Sequence, residues 1–380
     1  MQLFKSASGF GSTAEKAARA FAKWFPTPEM IYPPAAGIDI SDASIKWIVL
    51  APFKSRYRIE SHGEILIEQG VVVSGVVQDE AALARALTEV KKHLGGVECA
   101  HAALPEEIAY VFEMHVPEGT THDQAISMIE FGFEGRVPIT PEEAVFDFDV
   151  IQKHDSGGGE DIGVAVFSHD LAQSYVSAFS GAGIRLLSLE TEARSIGRAV
   201  SSGAPDEPVT LLVDFGRART GFAVLKRGIP IFTSTVDVGD DMITRSVAEK
   251  LSLSPEETQV FKNEQGLLAD AGPKSSEVEA IIGTASALAD EITRHYHYWD
   301  TRRNEKGERM TPVGSVILIG GGANLNGLPD YIAGRVQAPT SIADVWRHVC
   351  DFDEYIPPID RRTSLQYATA VGLSMRSLPV

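Results

Sequence analysis

Two segments of this 380-residue chain share one design: an apolar strand ending in aspartate, a tight turn of small and polar residues, and a second strand. The first runs Gly37-Ile38-Asp39-Ile40-Ser41-Asp42-Ala43-Ser44-Ile45-Lys46, and the second Leu212-Val213-Asp214-Phe215-Gly216-Arg217-Ala218-Arg219-Thr220. An internal repeat of this kind asks for two similar sheet-based halves, each opened by its own hairpin. The length agrees, because 380 residues are too many for one simple core. A tight hairpin aims successive backbone N–H groups into one small volume, a nest that holds phosphate without side-chain charge. Ser41, Ala43, Ser44, Gly216, Ala218 and Thr220 are small enough to let a ligand approach the backbone. Asp39 and Asp214 are candidates to hold the water shell of a magnesium ion between the halves. Lys46 can turn back as a point charge on phosphate.

The remaining pattern divides the chain. Residues 1–34 form an extension that ends in a proline-rich tether, Phe25-Pro26-Thr27-Pro28 through Pro33-Pro34. Within it Ala14, Ala17, Ala18, Phe21, Ala22 and Phe25 recur at helical spacing, with Lys16, Arg19 and Lys23 between them. That helix reads either as a membrane-surface or partner-binding element or as a leader packed on its own domain. A first lobe spans 35–200. Its strands are expected over 36–40, 45–51 and 57–67, with a bulge near Ser61 and Gly63. Asp79 caps a helix over 80–94. Residues 97–155 read as an inserted α+β subdomain with strands near 99–104, 108–116 and 144–151 and a helix near 121–134. Strand 161–167, helix 169–181 and strand 184–190 read as a β-α-β unit with parallel strands, followed by helix 192–200.

Ser201-Ser202-Gly203-Ala204-Pro205-Asp206 links to a second lobe over 207–362. Strands 209–214, 220–226 and 229–236 precede helices near 240–251, 255–265 and 275–300, a strand over 315–319 and a helix near 326–336. Lys226-Arg227-Gly228 is the hairpin turn. A last helix, roughly 363–377 within a segment 363–380, returns to the first lobe.

Net charge of −18 argues against nucleic-acid binding, which needs concentrated Lys and Arg, but leaves nucleotide binding open. Cys99 and Cys350 match no metal spacing. They suggest no disulfide framework, so a cytoplasmic location is the simplest expectation, and no apolar run approaches a membrane span. The turn Gly320-Gly321-Gly322-Ala323-Asn324 ends the apolar run Val316–Ile319, and either lets a flat base lie on the backbone or serves as a close strand-to-helix packing turn. In Val238-Gly239-Asp240-Asp241, Asp240 suits a helix N-cap, with Thr244 one turn in. Glu190 and Glu192 are candidates to orient an attacking water, or else simply begin a solvated helix; Glu190 is taken as the candidate catalytic group. His295, His297 and Trp299 make no zinc site, and no strained elbow presents a nucleophile.

The order and spacing of these motifs resemble the PilM family of type IV pilus assembly proteins, and more distantly the division protein FtsA. The resemblance runs from about Ala35 to the C-terminus and includes Leu104-Pro105, Val137-Pro138-Ile139, Gly228-Ile229-Pro230-Ile231-Phe232 and Gly239-Asp240-Asp241-Met242-Ile243-Thr244. It implies an α/β, actin-like (ribonuclease-H-like) ATPase fold with duplicated sheets and an inserted α+β subdomain. By similarity, Asp39 through Lys46 and Asp214 through Thr220 are the phosphate hairpins of a Mg-ATP site. Gly239 and Thr244 would lie near the ribose, Gly320 to Asn324 near the adenine, and Lys262 beside the base. The expected partners are the cytoplasmic tail of a PilN-like membrane protein and other proteins of the pilus assembly platform, at the inner face of the cell membrane. The sequence also departs from the family pattern. Ser41 and acidic Asp42 stand in the first hairpin, Arg217 and Arg219 in the second, and Gln259 replaces a frequent Glu. An extra carboxylate beside phosphates is unfavourable unless a cation offsets it, which points to a scaffold with weak or no hydrolysis. The alternatives are an FtsA-like filament, whose C-terminal linker and helix have no counterpart before Val380, and a sugar-kinase-type phosphotransferase, for which no Asp is marked as catalytic.

Overall fold

The structure is a computed structural model, and it describes residues 33–154, 157–268, 276–303, 307 and 309–378. The N-terminal amphipathic helix and most of the proline-rich tether lie outside the described residues. The chain opens as an antiparallel meander of β1 (Ala35–Ile40), β2 (Ser44–Phe53) and β3 (Arg56–Leu66), with Asp39 facing Lys46 across the first hairpin. The expected irregularity in β3 is present, since Val49 faces Ser61 while Leu50 faces Ile59, so Glu60 is extra. A small hairpin, β4 (Val72–Val73) and β5 (Val76–Val77), leads to α1 (Glu80–His93). Asp79 caps that helix by accepting from the Ala82 N–H at 2.8 Å, and Leu83, Leu87 and Val90 are buried on its inner face.

The next strand, β6 (Cys99–Leu104), is placed differently from expectation. It pairs in parallel with β1 and belongs to the lobe's own sheet. The inserted sheet therefore starts only at β7 (Tyr110–Val116), continues through α2 (His122–Phe131) and β8 (Ala144–Lys153), and takes β9 (Glu160–Ser168) as its middle strand, in the order β7-β9-β8. Consequently β9 is not the parallel partner of β10 (Arg185–Thr191). After α3 (His169–Gly181), β10 pairs with β6 and completes a sheet ordered β10-β6-β1-β2-β3. The alternation that marks a strand does not name its neighbour, and an all-apolar run such as Val164–Phe167 suits either sheet.

After α4 (Glu192–Val200) the second half repeats this plan. β11 (Thr210–Phe215), β12 (Thr220–Lys226) and β13 (Ile229–Val236) form the meander, and Arg227 and Gly228 both take φ near +54° and +73° in its turn. Helices α5 (Asp240–Leu251), α6 (Pro255–Glu264) and α7 (Ser276–Thr301) intervene before β14 (Ser315–Ile319), which pairs in parallel with β11. Then come α8 (Leu328–Val336) and a short edge strand, β15 (Thr340–Ile342). The sheet order β13-β12-β11-β14-β15 has the same sense as the first: three antiparallel strands, then two parallel ones.

The expected last helix is broken. α9 (Arg361–Ser364) and α10 (Ala368–Ser374) are separate, and α10 lies on β1 and α4 of the first lobe. The approach is close enough to require glycine twice: a Cβ on Gly37 would sit 2.0 Å from the Ala370 carbonyl, and one on Gly372 1.9 Å from that of Ser195. Ser195 Oγ donates to the Thr369 carbonyl at 2.6 Å. Ile48, Ile196 and Val371 join the core beneath the second sheet, so the halves share apolar packing. Among the described residues, no helix is long and apolar enough to cross a membrane.

Candidate functional site

Because the two sheets share one topology, the C-terminal ends of β1 and β11 deliver Asp39 and Asp214 to one cleft, each followed by its hairpin. Burial pushes the Asp214 carboxyl up to about 7, and the Asp39 charge adds to it. Asp39 is raised for the same first reason, opposed by the Lys46 ammonium. Lys46 is itself held by Ser44 Oγ at 3.0 Å and Glu64 at 3.1 Å.

Three further carboxylates face the same cleft. β6 runs parallel to β1, so its C-terminal end reaches the same sheet edge and presents Glu106 and Glu107 just past Pro105. Glu106 is pushed up to about 7 by burial, against the Ala193 N–H it accepts; its Oε2 is buried without a hydrogen-bond partner. Glu192, at the start of α4, is raised well above its ordinary value by burial and then by Asp39, Glu107, Glu106 and Asp214. Sequence reasoning missed Glu106 and Glu107 because it assigned β6 to the insertion and so moved its end away from Asp39. Mutual repulsion among buried carboxylates is what a hard divalent cation with oxygen ligands relieves, so the donor set fits magnesium.

The first hairpin is tightened by its own serines: the Ser41 N–H donates to the Ser44 carbonyl at 2.9 Å, and the Ser44 N–H to Ser41 Oγ at 3.1 Å. Ala43 lies between them at the tip. Asp42, the unexpected acid, accepts the N–H groups of Ser74 and Gly75 at 3.1 and 3.0 Å and pairs with Arg219 of the other lobe at 2.7 Å. Arg219 also pairs with Glu107. The two hairpins are thus bridged by Asp42–Arg219–Glu107. Arg217 is exposed and pairs with Asp241 at 3.7 Å.

The second hairpin closes through the Gly216 N–H to the Arg219 carbonyl at 3.1 Å, and the N-terminus of α5 is seated on it. Asp240 and Asp241 donate their N–H groups to Gly216 and Arg217, and Thr220 Oγ1 donates to the Val238 carbonyl at 2.5 Å. Gly239 is required here, because a Cβ would meet the Arg217 carbonyl at 2.3 Å. Lys262 is fully buried, donating to Asp240 Oδ2 at 2.5 Å and Thr244 Oγ1 at 2.8 Å. Its charge and the Thr244 hydroxyl are therefore spent on joining α5 to α6. Gly320, at φ +85°, abuts Asp214 Oδ1, and Gly322 abuts the Phe215 ring, so these two glycines serve packing. Gly321 keeps room on its open side, with Gln366 at 3.4 Å. Asn324 Nδ2 ties the turn to the carbonyls of Gly321 and Arg362.

Glu190 is placed elsewhere than expected. Arg198 grips both its oxygens at 2.5 and 2.7 Å and Arg376 adds a third contact at 2.5 Å, holding the carboxyl below its usual range against the penalty of burial. A carboxylate so committed is a poor base, and it is Glu192 that faces Asp39 and Asp214.

The raised carboxylates give a pH dependence with a defined sign. Below about pH 4 they are protonated in both folded and unfolded chains and cost nothing. Between about 4 and 7 the unfolded chain ionises first, so stability falls as pH rises through that window and levels off above it. Allowing for the water that still reaches the cleft, the expected loss is about 1–2 kcal/mol per group. Thermal melts at pH 5 and pH 8 check this, and saturating magnesium should reduce the difference.

A second concave region, of about 410 Å³, lies between β8 and β10 and is floored by Phe167 and Ala172. Both strands are sheet edges, since β8 ends the inserted sheet and β10 ends the first lobe's sheet. Val176 and Leu187 line it and are 41% and 37% exposed. At one end Arg194 pairs with Asp149 at 2.5 Å.

Comparison with solved structures places the fold. The chain matches a structure described as the PilM-PilN type IV pilus biogenesis complex at 18% identity and a TM-score of 0.74, covering 92% of this chain and 100% of that one. It also matches the ethanolamine utilization protein EutJ from Carboxydothermus hydrogenoformans at 16% identity and a TM-score of 0.51, covering 92% and 91%. The fold is actin-like. The family model described as type IV pilus assembly protein PilM matches residues 37–378, so the chain belongs to the PilM family of type IV pilus assembly proteins.

Proposed function

We propose that this chain is a nucleotide-binding scaffold of pilus assembly that takes Mg-ATP between its lobes with weak or no hydrolysis. The observation that carries this reading is the gathering of carboxylates, Glu106 buried and Asp39, Asp214 and Glu192 half-buried, between two hairpins whose small residues leave the backbone accessible. Asp39 and Asp214 hold the ion, Lys46 and the hairpin amides around Ser41–Ser44 and Gly216–Thr220 take phosphate, and the face beside Gly321 takes the base. Weak turnover belongs to the same reading because Glu190, the candidate group of the sequence, is bound to two arginines. Calorimetry is the test. Wild type should bind ATP more tightly with magnesium than without, and Asp214→Ala should lose about tenfold or more of the magnesium-dependent part. Absence of binding heat in the wild type sinks the nucleotide reading.

The groove between β8 and β10 is the proposed seat of a PilN-like cytoplasmic tail. Two unpaired strand edges offer backbone donors and acceptors to an extended peptide, and Val176 and Leu187 offer apolar pockets. The related solved structure is described as a complex with PilN. Binding there would hold the chain at the inner face of the cell membrane beside other platform proteins. Fluorescence polarisation with a labelled tail peptide should show Leu187→Asp weakening binding about tenfold, while ATP binding stays unchanged.

A further inference from the structure

On the inserted sheet, away from both the cleft and the groove, we propose that His115, His154 and Asp161 form a binding site for a zinc-class divalent ion. The strands dictate the convergence. In the order β7-β9-β8, His115 faces Asp161 across one pair and Asp161 faces Gln152 across the other, with His154 just past the end of β8. His115 Nδ1 lies 2.9 Å from Asp161 Oδ1, and His154 Nε2 lies 3.0 Å from Asp161 Oδ2. The ligand atoms of all three residues fall within 4.8 Å of one another. Ligands bound tetrahedrally at about 2.0–2.1 Å stand roughly 3.3–3.5 Å apart, so small side-chain rotations admit the ion.

The carboxylates nearest the site suit a cation, while arginines line its mouth. Lys226, reaching across from β12, pairs with Glu113 at 2.7 Å and with Asp161 at 3.1 Å. With neutral imidazoles the group therefore carries one surplus negative charge. Gln152 Nε2 lies 3.1 Å from Asp161 Oδ2 and 3.0 Å from His154 Nε2, so it bridges two of the ligand atoms and has to turn aside, keeping at most the carboxylate, when the ion enters. Gly159, at φ +75° and with no room for a Cβ beside the Val116 carbonyl, also leaves the His115 ring its space, since that Cβ would lie 3.0 Å from His115 Nε2. The site opens on a cleft of about 590 Å³ whose walls include Arg136, Arg302 and Arg309. Three protein ligands with the fourth position facing a cationic wall favour water, hydroxide or a small anion as the last ligand. Because Lys226 shares Asp161 Oδ2, the ion competes with the ammonium, and its binding acts on the contact between the inserted sheet and the second lobe.

The test is titration of the untagged full chain with zinc by calorimetry and with cobalt by visible absorption. One equivalent should bind, with the intense bands of four-coordinate cobalt. His115→Ala and His154→Ala should each weaken binding about tenfold or more, and the pair should abolish it. Lys226→Met, which removes the competing ammonium, should tighten it, while His169→Ala on α3 leaves the titration unchanged. Far-UV dichroism of the metal-free variants establishes that they fold. Failure of the wild type to saturate at one equivalent, or equal uptake by the double histidine variant, overturns the site.

Discussion

Glu190→Ala should lower the stability of the folded chain by about 3–5 kcal/mol, the usual cost of removing one partner from a buried ion pair. The Glu190 side chain is only 7% exposed, and its two oxygens receive three guanidinium contacts, two from Arg198 and one from Arg376. Arg198 would keep only the Gly372 carbonyl, at 2.9 Å, and the C-terminal turn that carries Arg376 would lose its tie to β10. Because the carboxyl is held below its ordinary pKa, its contribution is present above about pH 4.5 and is lost as pH falls through the lower folded value. The variant should therefore differ most from wild type near neutrality and converge with it in acid. Glu190→Gln keeps the shape and one acceptor and should cost less. Denaturant melts check both variants. The opposite pattern, Glu190→Gln with unchanged stability but lost ATP turnover, would return Glu190 to catalysis.

Glu190 illustrates what was legible in the sequence. The repeat around Asp39 and Asp214 showed two lobes with one hairpin each, and the family resemblance rested on motifs whose spacing survives in space. Strand existence was readable from alternation and turn residues; strand partnership was not. Cys99–Leu104 and Glu160–Ser168 exchanged sheets relative to expectation, and with that exchange Glu106 and Glu107 moved into the cleft. The choice between Glu190 and Glu192 was likewise closed to the sequence. It depends on which way the chain turns as β10 passes into α4, and on arginines at 198 and 376, the second nearly two hundred residues away. The glycine triplet divided for a similar reason, since its packing against Asp214 and Phe215 is a tertiary fact.

Asp42 and Arg219, the two departures from the family's hairpins, should act on ATP in opposite directions. They pair across the cleft at 2.7 Å, and Arg219 also pairs with Glu107, so one guanidinium offsets two carboxylates where phosphate is proposed to sit. Arg219→Ala removes that offset and leaves both acids facing the polyphosphate. A unit charge about 6 Å from a phosphate, at an effective dielectric near 20, is worth roughly 2–3 kcal/mol before screening, so a weakening of about tenfold to thirtyfold is expected. Asp42→Asn removes an acid but retains an acceptor for the Ser74 and Gly75 N–H groups, and it frees Arg219 to turn toward phosphate. Affinity should rise severalfold. In the double variant the two effects should not add, because Asp42 influences ATP partly through the position of Arg219. The gain of Asp42→Asn should shrink when Arg219 is already alanine, and both shifts should diminish in high salt. Calorimetry across this four-member cycle settles the point: if Arg219→Ala binds ATP as wild type does, the bridge joins the lobes without touching the nucleotide.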